Sequence, residues 1–380
     1  MSNFLLTTDD IIRPNIYVRL KRNFRYMIFD KARTSAGNIR SLSRISHINL
    51  RMLCYYKSGG RSIPLSRLYK IISLTQEKLI YKELENNLLR IRYGKSGKSI
   101  LDPRIPLKLS DSLIRIIAHV IGDGGISKRQ GNKTVTYSNK ADELLEQFKK
   151  DIQQVFGEIE PMSIHDKKSK CIELFYPSII GFLLNKIIGL QSGMDKHVPD
   201  LILNISERFR HIFLRALFDD EGNVNMEAYK INFEIASYGI IRDVKLMLER
   251  LSIKTSNIVR VDRNEKERPR YKITINGREN IAKYNRMIGF SSKEKSEKLK
   301  TLINFYKIPH RNKTEVKEAI INILRERRMS FYELATELQN QNIGAFRYSL
   351  RKLVQLGLVS FDLQHFGKGI RRIYKLTMRS

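Results

Sequence analysis

The spacing of apolar positions changes character several times along the chain. From Ile39 to Leu74, Leu42, Ile45, Ile48, Leu50 and Leu53, then Leu65, Leu68 and Ile71, recur at helical intervals, which predicts short helices. A turn at Ser46–Ile48 separates two of them, and Gly59, Gly60 and Pro64 mark the next boundary. The segment Tyr93–Lys108, rich in Gly, Ser, Pro and Lys, is expected to be a hinge. Beyond it one order of elements occurs twice. A helix over Asp111–Ile121 ends in Gly122, Asp123, Gly124, and a second over about Glu207–Phe218 ends in Asp219, Asp220, Glu221, Gly222. Alternating strands follow each, around Val135 and Tyr137 in one copy and Ile231, Phe233 and Ile235 in the other. Amphipathic helices Glu143–Phe156 and Ile240–Leu251 come next, then strands ending near Tyr176 and Ile275, then a closing helix with glycine and lysine. The duplication predicts a pseudo-twofold monomer built from two α/β halves. From Thr314 to Lys375 the pattern predicts three helices and a hairpin. Ser330 and Glu333 form a capping box at the second helix, and a third helix spans Ile343–Leu356. The expected domains are 1–105, 106–308 (repeats about 111–205 and 206–308) and 309–380.

Charge adds a partner to this outline. The 380 residues include 70 Lys or Arg and 39 Asp or Glu, a net charge of +31, and hydrophobic residues make up 42%, enough for packed cores. The three regions carry +14, +9 and +8, so the excess is no basic tail, and a polyanion is the expected partner throughout. Nucleic acid fits better than a membrane surface, because no stretch is long and apolar enough to insert. Cys54 and Cys171 have no metal-ligand spacing, and Met1–Asp10 has no basic start of a signal peptide. A soluble, intracellular and nucleoid-associated protein is expected.

Two helices that each end in a carboxylate followed by glycine carry the candidate chemistry. The partial negative charge at a helix C-terminus disfavours a carboxylate, so Asp123 and Glu221 call for a compensating cation. Helices packed through Ala118, Gly122 and Ala216 bring both acids to one end, where Mg²⁺ or a similar hard cation suits them. That arrangement serves metal-assisted phosphodiester hydrolysis. Asp219 and Asp220 read as capping or supporting groups, and Asp111 as a helix N-cap. His119, His197 and His211 lack the spacing of a metal or nucleophile set.

The segments IIAHVIGDG and FLRALFDDEG resemble the two signature motifs of single-chain LAGLIDADG homing endonucleases, over roughly residues 106–308. The resemblance implies an α+β fold with a duplicated αββαββα core, its two sheets forming a saddle over double-stranded DNA. It assigns the metal-binding acids, with Mg²⁺ or Mn²⁺, to Asp123 and Glu221. It assigns a charge-stabilising lysine to Lys196 in DKHVPDL, and to Lys295 or Lys293 in the second copy. His119, where a small residue is commoner, and Glu221, where aspartate is commoner, are departures from the pattern. The candidate saddle contacts are Lys128, Arg129, Lys133, Lys230, Arg260, Arg263, Arg270 and Lys272.

The flanks have resemblances of their own. Residues 39–74, with Arg40, Arg44, Arg51, Lys57, Arg61 and Arg67 dispersed through them, resemble the helix-turn-helix of phage-repressor-type regulators within an all-α N-terminal domain. The C-terminal region resembles a winged helix, with Arg347, Arg351 and Lys352 on the third helix and Lys368, Arg371 and Arg372 on the wing. A helical packing domain and a protein-docking winged helix are the plain alternatives. The main expectation is a site-specific, metal-dependent double-stranded DNA endonuclease. The alternative is a LAGLIDADG-derived transcription regulator, or a maturase acting on RNA, without cleavage. Met1 at the start and Arg379–Ser380 at the end are not splice-junction residues, so a free-standing protein is expected.

Overall fold

The computed structural model of the chain describes residues 4–129, 132–166, 170–189, 196–262, 269–307, 313–338, 343–366 and 369–377. It divides into two compact units: Met1–Ser192 with Pro199–Phe213, and Gly193–Val198 with Leu214–Ser380.

The first unit opens with β1 (Phe4–Leu6), β2 (Ile16–Leu20), α1 (Arg22–Ser35), α2 (Ile39–Ser46) and α3 (Leu50–Ser58). Then come β3 (Ile63–Pro64), α4 (Leu65–Ser73), α5 (Lys78–Leu84), β4 (Leu88–Tyr93), β5 (Ile100–Leu101) and β6 (Leu107–Lys108). The expectation of an all-α N-terminal domain is corrected here. Strands β3, β2, β4 and β5 form a four-stranded sheet in that order. Ile16, Val18 and Leu20 are all fully buried while Tyr17 and Arg19 are not, a period-two pattern outside the helical stretch that set the expectation. The hinge expected over 93–108 is also absent. Ile100, Ile105 and Leu107 are buried, and Leu101 exchanges backbone hydrogen bonds with Glu158. The helices form where the apolar spacing puts them. Asn38 and Asn49 cap α2 and α3 through their side chains, and His47 between them takes the left-handed conformation.

The first copy of the repeat continues with α6 (Asp111–Ile121), β7 (Gly124–Arg129), β8 (Asn132–Asn139), α7 (Asp142–Phe156), β9 (Met162–Asp166), β10 (Cys171–Tyr176) and α8 (Ser178–Ile188). A short helix, α9 (Asp200–Leu203), follows. The second copy runs α10 (Glu207–Glu221), β11 (Gly222–Asn225), β12 (Lys230–Ile235), α11 (Tyr238–Arg250), β13 (Val259–Val261), β14 (Arg270–Asn276), α12 (Arg278–Met287) and α13 (Lys293–Lys307). The two sheets share one topology, β7-β8-β10-β9 and β11-β12-β14-β13, which bears out the duplication. Each copy has an aromatic core under its sheet. Tyr137, Phe148 and Tyr176 gather with His119 in the first; Phe218, Phe233, Tyr284 and Phe290 gather in the second.

The chain closes with α14 (Lys313–Glu326), β15 (Met329–Ser330), α15 (Phe331–Glu337), α16 (Ile343–Gln355), β16 (Val359–Phe366) and β17 (Gly369–Leu376). Their sheet order is β15-β17-β16. The capping box of Ser330 and Glu333 is present in both directions, and those hydrogen bonds hold the Glu333 carboxyl below its ordinary range. Among the described residues no helix is long and apolar enough to cross a membrane.

Candidate functional site

In both copies the candidate acid directly precedes the first strand of its sheet. Asp123 leads into β7, where Gly124 stands opposite Tyr137; Glu221 leads into β11, where Gly222 stands opposite Phe233. The glycine after each acid is a packing requirement. A Cβ at Gly124 would lie 2.7 Å from the carbonyl oxygens of His119 and Thr136, and one at Gly222 would lie 2.5 Å from that of Phe218. The strand can turn back against the helix end only without a side chain there.

The acids themselves are held differently. Asp123 is exposed, and the Asn139 side-chain amide donates to its Oδ2 at 3.3 Å. Glu221 is the last residue of α10, with its side chain 13% exposed, and Arg270 Nη2 donates to its Oε2 at 2.6 Å. Arg270 also lies 3.1 Å from Glu234 Oε1 and donates to the Glu234 carbonyl. Burial pushes the Glu221 carboxyl above its ordinary range, with the Arg270 charge pulling the other way. The compensating cation at this helix end is therefore a guanidinium. Lys295 adds a second one: its Nζ donates to the carbonyls of Phe218, Asp219 and Asp220, the closing carbonyls of α10.

The neighbouring polar groups are largely structural. Asp219, 2% exposed, accepts from the backbone N–H groups of Ser291 and Ser292 and so caps the start of α13. The cap of α6 is Ser110, one residue before the expected Asp111, whose carboxylate instead receives Arg208. His119 is buried against Tyr137 at 4.8 Å between ring centroids, so it belongs to the core of its own copy. His197 Nδ1 lies 2.9 Å from the buried Asp243 carboxylate, which also accepts from Val198 N. Ser237 Oγ donates to the Lys196 carbonyl, and a Cβ at Gly239 would collide with that same oxygen. Lys196 thus sits exposed on a backbone fixed to the start of α11.

The predicted contact residues separate by register. Lys230, Glu234, Arg270 and Lys272 share the sheet face opposite the buried Ile231, Phe233 and Ile235. Arg260 pairs with Tyr271, which puts it on the other face, and its Nε donates to Asp262. Arg270 shares the polar face, with its guanidinium on Glu221 and Glu234. Lys128 pairs in register with Lys133, and Arg129 with Asn132, but the side chains of these lysines and arginine lie outside the described residues. Arg263 and Lys368 also lie outside them. Arg51 is exposed over the Tyr55 ring, Lys57 bonds Asp30, Arg347 lies over Tyr229, and Arg351 is exposed. Sequence reasoning missed the role of Arg270 toward Glu221 and the pairing of Arg115 with the fully buried Asp151. Both partners are distant in sequence, and no local spacing announces either.

Residues 209–289 match the family model of a LAGLIDADG-like domain. The second copy is a LAGLIDADG-like domain. The first copy repeats its order of elements and its sheet topology. Over 310 residues the chain is 25% identical to a glutamine–fructose-6-phosphate aminotransferase of Methanocaldococcus jannaschii, covering 78% of this chain and 26% of that protein. Over 216 residues it is 26% identical to the replicative DNA helicase DnaB of a Synechocystis strain, covering 51% and 24%. The chain thus spans about a quarter of the length of these two relatives. Among solved structures it is similar to I-DmoI in complex with DNA and calcium, at 15% identity and a TM-score of 0.39, covering 50% of this chain and 97% of that one. It is also similar to full-length WhiA of Thermatoga maritima, at 12% identity and a TM-score of 0.39, covering 67% and 93%.

The fit of Asp123 and Glu221 to a divalent cation differs between the copies. Both offer the hard oxygen donors that Mg²⁺ takes, and Mg²⁺ needs one or two carboxylates beside water and substrate phosphate. Among the described residues no group of three or more His, Cys, Asp or Glu gathers into a metal-holding cluster. Asp123 fits this sparse mode as an exposed carboxylate. Glu221 fits it only in exchange for part of its bond to Arg270.

Proposed function

We propose that the chain is a divalent-metal-dependent endonuclease acting on double-stranded DNA, with Asp123 and Glu221 each serving one strand. The observation that carries this reading is a carboxylate–glycine pair at the same register position of both copies, on a chain of +31. Mg²⁺ or Mn²⁺ held by these acids would neutralise phosphate charge and ready a water for attack. Lys230 and Lys272, on the polar sheet face, would meet phosphates, and Lys196 and Lys295 would add positive charge beside the acids. The domain scheme 1–105, 106–308 and 309–380 belongs to the same reading. The helix–turn–helix run α2–α3 would place Arg51 and Lys57 on DNA. The order α14-β15-α15-α16-β16-β17 supports a winged helix that would bring Arg347, Arg351 and Lys368 to it. The two curated relatives bear names of unlike activities, an aminotransferase and a helicase, and share about a quarter of their length with this chain. That supports a module carried by otherwise unlike proteins rather than either named activity.

A DNA-binding regulator without cleavage is the second reading. The Arg270–Glu221 pair favours it, because a guanidinium already neutralises one of the two acids. Purified protein incubated with a genomic DNA library and Mg²⁺ separates the readings. The endonuclease cuts discrete sites, and Asp123→Asn with Glu221→Gln abolishes cutting while binding persists. Specific binding with no cleavage in Mg²⁺ or Mn²⁺ would leave the regulator.

A further inference from the structure

Away from both acids, the N-terminal part of the first unit holds a cavity of about 650 Å³ between β2, the end of β4, α3 and the start of α4. Five of its thirteen lining residues are cationic, namely Arg19, Arg61, Arg67, Arg92 and Lys95, and none is acidic. None of the five makes a salt bridge among the described residues. Other cations of the same region do find carboxylates, as Lys31 with Glu77 and Lys57 with Asp30. Like charges gathered in one concavity repel each other and raise the local positive potential, so the cavity selects for an anion.

Two details narrow the anion. Arg92 Nε is buried and has no hydrogen-bond partner among the described residues, an arrangement that a bound acceptor oxygen would relieve. Its guanidinium lies 5.7 Å from the centroid of Tyr17, whose ring helps wall the cavity. At the other side Arg67 Nη1 donates to Tyr56 Oη at 2.9 Å, which fixes that guanidinium, and Arg61 lies over Tyr55 at 5.2 Å. Guanidinium forks match phosphate oxygens, and a tyrosine face beside a guanidinium offers a stacking surface for a base. The volume lies within the range of small-ligand sites and is ample for one nucleotide.

We infer that this cavity is a nucleotide-phosphate site: Arg61, Arg67 and Arg92 take the phosphate, and Tyr17 takes the sugar or base. The phosphate can come from a DNA strand or from a free nucleotide, and the inference rests on the DNA reading only for the first source. Tyr17, Arg61, Arg67 and Arg92 lie outside α2 and α3, although Met52 and Tyr56 of α3 also line the cavity, and the site has no acid for a metal.

The test uses the full-length protein with two probes, a fluorescent 30-base-pair duplex read by anisotropy across a salt series and dTMP read by calorimetry. Arg61 and Arg67 are exposed, so Arg61→Ala/Arg67→Ala should keep the wild-type melting temperature, with Arg61→Ala alone as the milder variant. Lys78→Ala/Lys82→Ala, exposed and outside the cavity, removes the same charge. If the source is DNA, the cavity variant weakens duplex binding by about tenfold or more and lowers the salt slope by about 2, while the control does neither. If the source is a free nucleotide, dTMP binding is lost in the cavity variant and in Arg92→Met, and duplex binding is unchanged. Either outcome supports the site. Unchanged binding of both probes in the cavity variants, or an equal loss in the control, overturns it. Wild-type protein that binds no duplex would refute the DNA reading, and the dTMP arm then decides the site by itself.

Discussion

In the first copy of the repeat the acid before the leading strand is Asp123, exposed, with the Asn139 amide on its Oδ2. In the second it is Glu221, almost buried, with Arg270 on its Oε2. The registers make the two places strictly comparable. Tyr137 pairs with Leu174 and Phe233 with Ile273, so three residues back along the partner strand Cys171 in one copy corresponds to Arg270 in the other. Ser138 likewise corresponds to Glu234. The duplicated backbone keeps the carboxylate and its glycine, while at these two register positions an arginine and a glutamate in one copy stand where the other has a cysteine and a serine. Topology and electrostatics are thus separately adjustable in this fold: strand register fixes where an acid sits, and cross-strand neighbours decide what cation it takes.

The copies also bury one aspartate each on the helix after the hairpin, and this contrast gives the largest expected effect. Asp151 is fully buried and bound by Arg115 through two nitrogens, whereas Asp243 has His197 and a backbone N–H. Arg115→Met should therefore cost about 3–5 kcal/mol in urea unfolding, because it strands a buried charge. A loss under 1 kcal/mol would show that Gln147, 3.1 Å from Asp151, suffices as its partner.

Arg270→Met comes next, at about 3 kcal/mol at neutral pH, since it leaves Glu221 nearly buried without that partner. Its pH dependence has a definite sign. Burial already raises the folded-state carboxyl above its unfolded value, and losing Arg270 raises it further. The folded state then holds the proton to higher pH than the unfolded chain does. The variant's deficit should therefore grow as pH rises from the ordinary glutamate range toward neutrality, and shrink toward about pH 4. Melting curves across that range check it, and a deficit independent of pH would deny the ion pair its role.

Where the copies agree, substitutions should agree. Gly124→Ala and Gly222→Ala each force a Cβ against backbone oxygens and should each cost about 1–3 kcal/mol. A tolerant site in either copy would break the equivalence of the two turns. The smallest effect belongs to His197→Gln, about 1 kcal/mol, because Asp243 keeps the Val198 N–H.

How much of this was legible in the sequence follows from the range of each interaction. The duplication, the acid–glycine pairs and the Ser330–Glu333 capping box depend on residues a few positions apart, and their patterns appear along the chain. The N-terminal sheet is equally local in its Ile16, Val18, Leu20 alternation, but that run is five residues long against the much longer helical spacing of Ile39–Leu74. The Gly, Ser, Pro and Lys content of 93–108 records backbone freedom and says nothing of partners such as Glu158. The Arg270–Glu221 pair bridges 49 positions and depends on the strand pairing of β12 with β14, so only the folded register reveals it.

The most direct test of unequal acids is Mn²⁺ binding by calorimetry to the wild type, Asp123→Asn, Glu221→Gln and Arg270→Met, without DNA. If the first copy holds the more available acid, Asp123→Asn weakens the tighter binding event by at least about tenfold, or 1.4 kcal/mol, and Glu221→Gln leaves it unchanged. Arg270→Met should then strengthen a second event that Glu221→Gln removes. Equal losses from Asp123→Asn and Glu221→Gln with Arg270 in place would contradict the account.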